Sequence, residues 1–245
     1  MERDNTLEQF LGGKTGRFCL HFSQIMAIYR IVGYVLTMIL LLFVLNGRFV
    51  IICVGVLAAI ASCVLLLESS RQLLARNSGK TIRFPRTMAN FHLSMGLQLL
   101  YTPLMSMTFC LMMRMLDGSM KVGAPYDETI FRAAWDGFGL CAMMCTGSKL
   151  AVCHMVERQY RNKEFHSWLL WLLAGTSCLA AIALLVILLG FRPEWSSGVL
   201  LRICMVPLLM NYVMTSVFAV QYWRFLRKRP SVKEVSADST LSADE

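Results

Sequence analysis

Residues 167–190 read SWLLWLLAGTSCLAAIALLVILLG, an uninterrupted run without a single charged side chain. A helix needs about 20 mostly apolar residues to cross the hydrocarbon core of a bilayer, and this run supplies them. It is apolar all round, so in water it would have no face to turn outward. The stretch therefore decides the fold class: an all-α integral membrane protein.

Working outward, the turn over Phe191–Gly198, with Pro193, leads into a second apolar run, Val199–Trp223. That run ends at Arg224, Arg227, Lys228 and Arg229, with Pro230 behind them. A basic cluster followed by proline stops both the span and the helix. On the other side, beyond the polar segment His154–His166, Ala133–Cys153 is apolar but carries Asp136 and Lys149, each toward one end of the run. Toward the N-terminus, residues 31–45 and Phe49–Leu67 are charge-free and are joined by the turn signal Asn46-Gly47-Arg48. Residues 88–113 form a further apolar run with Asn90, His92, Gln98 and Pro103 inside it. The expected architecture is a bundle of about six transmembrane helices (about 31–45, 49–67, 88–113, 133–153, 167–190 and 199–223). A cytosolic N-terminal segment, 1–30, precedes it, and a tail over 224–245, basic and then disordered, follows.

Composition agrees. Of 245 residues 56% are hydrophobic and 16% charged, outside the usual soluble balance. The net charge of +9 does not point to nucleic acid, because Lys and Arg sit in short clusters between apolar runs and not along one face. Their distribution sets an expected orientation. Most of the 24 Lys and Arg residues fall in the N-terminal segment, the 68–87 loop, the 154–166 segment and the C-terminal tail, whereas the outer segments hold only Arg48, Arg114, Lys121, Arg132 and Arg192. Basic residues accumulate on the cytoplasmic side, so both termini are expected in the cytosol, and Ala133–Cys153 must span to keep them there. The five tryptophans, Trp135, Trp168, Trp171, Trp195 and Trp223, lie near expected boundaries, where indole favours the headgroup region. No cleavable signal peptide is expected, since no apolar stretch follows a basic one at the N-terminus.

All nine cysteines but Cys19 fall in apolar segments, where a free thiol behaves as a small hydrophobe, and no Asn-x-Ser/Thr sequon occurs. Both features favour an internal membrane, the endoplasmic reticulum or Golgi over the plasma membrane.

Motifs that carry chemistry are scarce. Gly12-Gly13-Lys14-Thr15 ends like a phosphate-binding loop, but Glu8 stands where the first glycine is required. A break between a short amphipathic segment (Leu7, Phe10, Leu11) and the first span accounts for it. His154 and Glu157 lie one turn apart, yet no paired His-x-x-x-His or Cys-x-x-Cys accompanies them, so no metal site is expected. No haem pair, hydrolase elbow or other catalytic set is present, and no catalytic residue or cofactor is assigned.

Three groups remain. Asp136 and Arg202 are expected a few residues below the same outer surface and form a candidate intramembrane pair. Arg71, Arg76, Lys80, Arg83 and Arg86 crowd one cytosolic loop and are candidate contacts for anionic lipid. Gly137, Cys141 and Cys145 recur every four residues and form a candidate helix-packing face, suited to a membrane-protein partner or a second copy. Two functions fit: a non-enzymatic accessory, assembly or trafficking component of an endomembrane, expected first for want of any catalytic set; or a small-solute or ion transporter or channel. The second is supported by the intramembrane polar residues Gln98, Asp136, Lys149, Arg202 and Asn211.

Overall fold

The computed structural model describes residues 6–44, 50–76, 87–102, 128–160, 166–190 and 195–227, and every element among them is helical. In chain order these are α1 (Thr6–Gly12), α2 (Lys14–Val44), α3 (Val50–Arg76), α4 (87–102), α5 (Glu128–Tyr160), α6 (Trp168–Gly190) and α7 (Trp195–Arg227). Among the described residues five segments are long and apolar enough to cross a membrane: Lys14–Leu36, Cys53–Ala75, Ala133–Gln159, Trp168–Gly190 and Met205–Arg227. The expected span 88–113 is a helix over 87–102, and its remainder lies outside the described residues.

Lipid-facing surface is evident from what the helices leave uncovered. Ile25, Leu100, Leu140 and Leu189 are each 60% exposed or more, and α6 turns Trp168, Leu172, Leu179 and Val186 outward while Leu170, Leu184 and Ile187 are fully enclosed. In water this surface would drive aggregation; in hydrocarbon it costs nothing, and one buried stripe per helix suffices to hold the bundle.

Neighbouring helices run antiparallel. Ser62 on α3 meets Ser94 on α4 while Gln72 meets Thr87. Ser148 on α5 meets Thr176 on α6, and Trp171 on α6 stacks edge to face on Trp223 of α7, 5.1 Å between ring centroids. The starts of α2, α4 and α6 thus gather with the ends of α3, α5 and α7. Lys14, Arg17, Arg71, Arg158, Arg224 and Arg227 sit there, and we refer to it as the basic end. Arg227 lies 5.4 Å over the Trp223 ring, a cation held against an aromatic at the polar margin of the apolar zone.

Two features depart from the sequence reading. The boundary at residue 30 is absent, since α2 runs unbroken from Lys14 to Val44 with no proline inside it. The preceding α1 is folded into the bundle: Leu7, Phe10 and Leu11 are buried, and the Phe10 ring contacts Phe218, Tyr222 and Phe225 of α7 at 5.2–5.6 Å. The chain turns between α1 and α2 at Gly13 so tightly that a Cβ on Gly16 would come within 2.4 Å of the Leu11 Cα and the Phe10 carbonyl oxygen. Only glycine permits that approach. Trp135 lies two residues inside the start of the Ala133–Gln159 segment, near its expected boundary. It is buried against Phe138, 5.4 Å between centroids, because it falls in register with the inward face of α5.

Candidate functional site

That inward face explains the site. Along α5, Trp135, Phe138, Ala142, Cys145, Val152 and Val156 are buried at spacings of three and four residues, and Lys149 occupies the matching position between Cys145 and Val152. Helical geometry therefore carries a cation into the bundle. The same happens on α2, where Leu20, Ala27 and Tyr34 bracket Arg30, and on α7, where Asn211 and Tyr212 lie between Met205 and Ala219. On α4, Gln98 is buried one turn from Met95 and Tyr101. Counted from the basic end, these four polar residues lie roughly 11–16 residues in, or about 16–24 Å at 1.5 Å per residue, near the middle of the bundle.

Arg30, Gln98, Lys149 and Asn211 line two cavities at once. The basal cavity, about 220 Å³, lies toward the basic end and is walled by apolar groups such as Leu20, Met88, Met95 and Val156, with Leu7 and Leu11 of α1 beneath it. The distal cavity, about 280 Å³, has an aromatic wall made of Tyr34, Tyr101, Trp135, Phe138 and Tyr212. The Tyr34 and Tyr101 rings meet edge to face at 6.0 Å, as do Phe138 and Tyr212 at 5.9 Å. A layer contributed by four helices, one polar side chain each, thus separates two recesses, one lying toward each end of the bundle.

The layer's charge is one-sided. The Lys149 ammonium lies 5.9 Å from the centre of the Tyr212 ring, a cation–π contact, and is within electrostatic reach of the Arg30 guanidinium. Around Arg30 stand the phenols of Tyr34, Tyr101 and Tyr212 and the Cys63 thiol. Among the described residues no carboxylate is set against either cation. A charge held at the centre of a membrane helix costs about 2.5–3.5 kcal/mol on insertion scales, and like charges add to that cost. The arrangement persists where water or an anion fills the adjoining recess.

Residues singled out from sequence fall differently. Asp136 is exposed, one position past Trp135 and so off the buried face; the Arg202 side chain lies outside the described residues. Arg71 is exposed, Arg76 ends α3, and Lys80, Arg83 and Arg86 lie outside the described residues. Of the packing face, Cys145 is fully buried and Cys141 half-buried, while a Cβ on Gly137 would meet nothing within 4 Å. Hydroxyls bridge the helices as well, Ser148 with Thr176 at 3.2 Å and Ser177 with Ser216 at 2.7 Å. Arg30, which directly precedes the charge-free run at 31–45, is the layer residue that run lengths miss. Its spacing from Ala27 and Tyr34 is the signal that finds it.

No family model, curated protein or solved structure matches this chain. Its function has to be read from the site itself. Among the described residues the other grouping of chemical interest is His92, His154 and Glu157, on the α4–α5 seam nearer the basic end.

Proposed function

We propose that this multi-pass membrane protein is a carrier for a small anionic solute, which it binds at the layer of Arg30, Gln98, Lys149 and Asn211. One observation carries the reading: two intramembrane cations share a polar layer with no carboxylate set against them among the described residues, and a cavity adjoins that layer on each side. An anion between Arg30 and Lys149 removes their repulsion and receives charge-assisted hydrogen bonds, while the amides of Gln98 and Asn211 donate further. The aromatic wall of the distal cavity suits an anion with an apolar or planar portion. Access from alternate ends requires only that the walls of one recess close while those of the other part.

An accessory role in trafficking or assembly has no comparable support, since it leaves the two half-buried intramembrane charges without a purpose. An endomembrane location still rests on the absence of sequons and of cysteines in the expected outer loops.

The test is reconstitution of the full chain into liposomes and measurement of counterflow for chloride, inorganic phosphate, a monocarboxylate and an aromatic carboxylate. Saturable exchange of at least one, lost in Arg30→Gln and in Lys149→Gln, is the expected result. Flux for none of them, or flux that both variants retain, removes the carrier reading. A stable complex with trafficking factors would then favour the accessory class.

A further inference from the structure

We propose that His92, His154 and Glu157 form a binding site for a divalent transition-metal ion, zinc by preference, which ties the start of α4 to the end of α5. The site is independent of the polar layer. Sequence spacing relates only His154 and Glu157, one turn apart on α5; the fold brings in His92 from α4, and the potential ligand atoms of all three residues lie within 4.8 Å of one another. The two imidazole rings meet edge to face, 6.3 Å between centroids.

The state of His92 sharpens the case. Its Nδ1 lies 2.9 Å from the Met88 carbonyl oxygen, which can only accept, so Nδ1 carries the proton and donates it there. This leaves Nε2 as the ring's lone pair, and Nε2 is buried with no hydrogen-bond partner among the described residues. An imidazole whose one nitrogen is fixed by a backbone carbonyl while the other is left bare is how proteins orient a metal-binding histidine. A packing histidine would ordinarily satisfy that nitrogen.

Two imidazoles and one carboxylate are a ligand set for tetrahedral zinc with a fourth position open to water. Zinc–ligand bonds of about 2.0–2.2 Å place neighbouring ligand atoms about 3.3 Å apart, so rotamer adjustments close the present spacing without moving a helix. His154 is exposed and lies fewer than two turns from the end of α5, so the ion would enter from the basic end. Hard cations are disfavoured, because magnesium and calcium take mainly oxygen ligands. An ion here would also stiffen one wall of the basal cavity, since Phe91 and Met95 flank His92, and Cys153 and Val156 flank the α5 ligands.

The experiment uses the purified full chain in detergent, stripped with EDTA and titrated with zinc chloride, with melting temperature as the readout. Cobalt(II) absorption reports coordination separately. A saturable rise in melting temperature at micromolar zinc is expected, with none from magnesium. His154→Ala and Glu157→Gln should each weaken the apparent affinity by about 10-fold or more. His154→Ala removes an exposed side chain, and Glu157→Gln keeps the shape, so neither should prevent folding. His21→Ala combined with His166→Ala, and separately Cys153→Ser, should leave the response intact, which excludes stray histidines and thiols. No zinc response in the wild-type chain, or one that His154→Ala and Glu157→Gln both retain, overturns the proposal and leaves the two rings as ordinary packing partners.

Discussion

Two sets of polar side chains lie inside this bundle, and they are treated in opposite ways. Along the α5–α6–α7 seam the hydroxyls of Ser148, Thr176, Ser177 and Ser216 find partners within the protein. Ser148 donates to the Met144 carbonyl at 2.9 Å, Ser177 donates to the Leu173 carbonyl at 2.7 Å, and Ser216 completes the pair by donating to Ser177. On α3 and α4, Ser62 and Ser94 each donate to the other's backbone carbonyl, at 2.9 and 2.8 Å. Satisfied polar groups are glue, since exchanging their partners inside the membrane gains little. The layer of Arg30, Gln98, Lys149 and Asn211 is the contrast: two cations lining the same two cavities, and no carboxylate among the described residues to neutralise them. A group that folding could have satisfied and did not is one whose partner arrives from outside.

The contrast breaks most visibly at Lys149. Lys149→Met should weaken binding of whichever anion the chain carries by a factor of about 10–150, because a hydrogen bond to a charged group contributes about 1.5–3 kcal/mol. In the ligand-free protein the same change should raise the melting point, by about 1 kcal/mol of stability, because it removes a half-buried charge that Arg30 repels. Loss of binding together with a gain in stability is the signature of a functional charge. A structural lysine would lose both, and melting curves with and without ligand separate the cases.

A smaller effect is expected where the hydroxyls are satisfied. Ser177→Ala and Ser216→Ala should each cost a few tenths of a kcal/mol, with a coupling of about 0.6 kcal/mol in a double-mutant cycle, typical of interhelical hydrogen bonds in a bilayer. Neither should alter anion affinity. A change in binding at this pair would mean that the seam moves during function, and the division between glue and site would have to be redrawn. Gly16→Ala probes the floor of the basal cavity. The added methyl meets backbone at 2.4 Å, so α1 must shift, at a cost of about 1–3 kcal/mol and with Leu7 and Leu11 withdrawn from beneath the cavity.

How much of this was legible in the sequence follows from which interactions are local. The all-helical membrane class could be read from apolar runs alone, and so could Gln98, Lys149 and Asn211, because a polar residue within such a run announces itself. Arg30 could not be read from run lengths: the charge-free stretch begins just after it, so it resembled a boundary anchor. Only the three-and-four spacing through Ala27 and Tyr34 places it inward. The continuation of the first helix back to Lys14 was hidden by Arg17 and Gln24, polar residues on a helix whose inner face is still apolar. His92 next to His154 was beyond reach, since no periodicity links side chains on separate helices, and only tertiary packing unites them.

The smallest expected effect tests the residue that sequence reading favoured most. Asp136 lies in the same apolar run as Lys149, and with Arg202 it was the natural intramembrane pair. The decisive quantity is helical phase. Trp135 and Phe138 point inward, and Asp136, about 100° further round from Trp135, points away and is exposed. It also lies about 13 residues, roughly 20 Å, along α5 from Lys149, far beyond the reach of an ion pair. A carboxylate near the end of a transmembrane segment reaches the polar boundary region without a protein partner. Asp136→Asn should therefore shift stability by no more than about 0.5 kcal/mol and leave anion exchange unchanged, as for surface substitutions elsewhere. A loss of several degrees in melting temperature, recovered in the swap Asp136→Arg with Arg202→Asp, would reverse this conclusion. It would mean that the pair forms after all, and the distal recess would then carry a second charged site beside the layer.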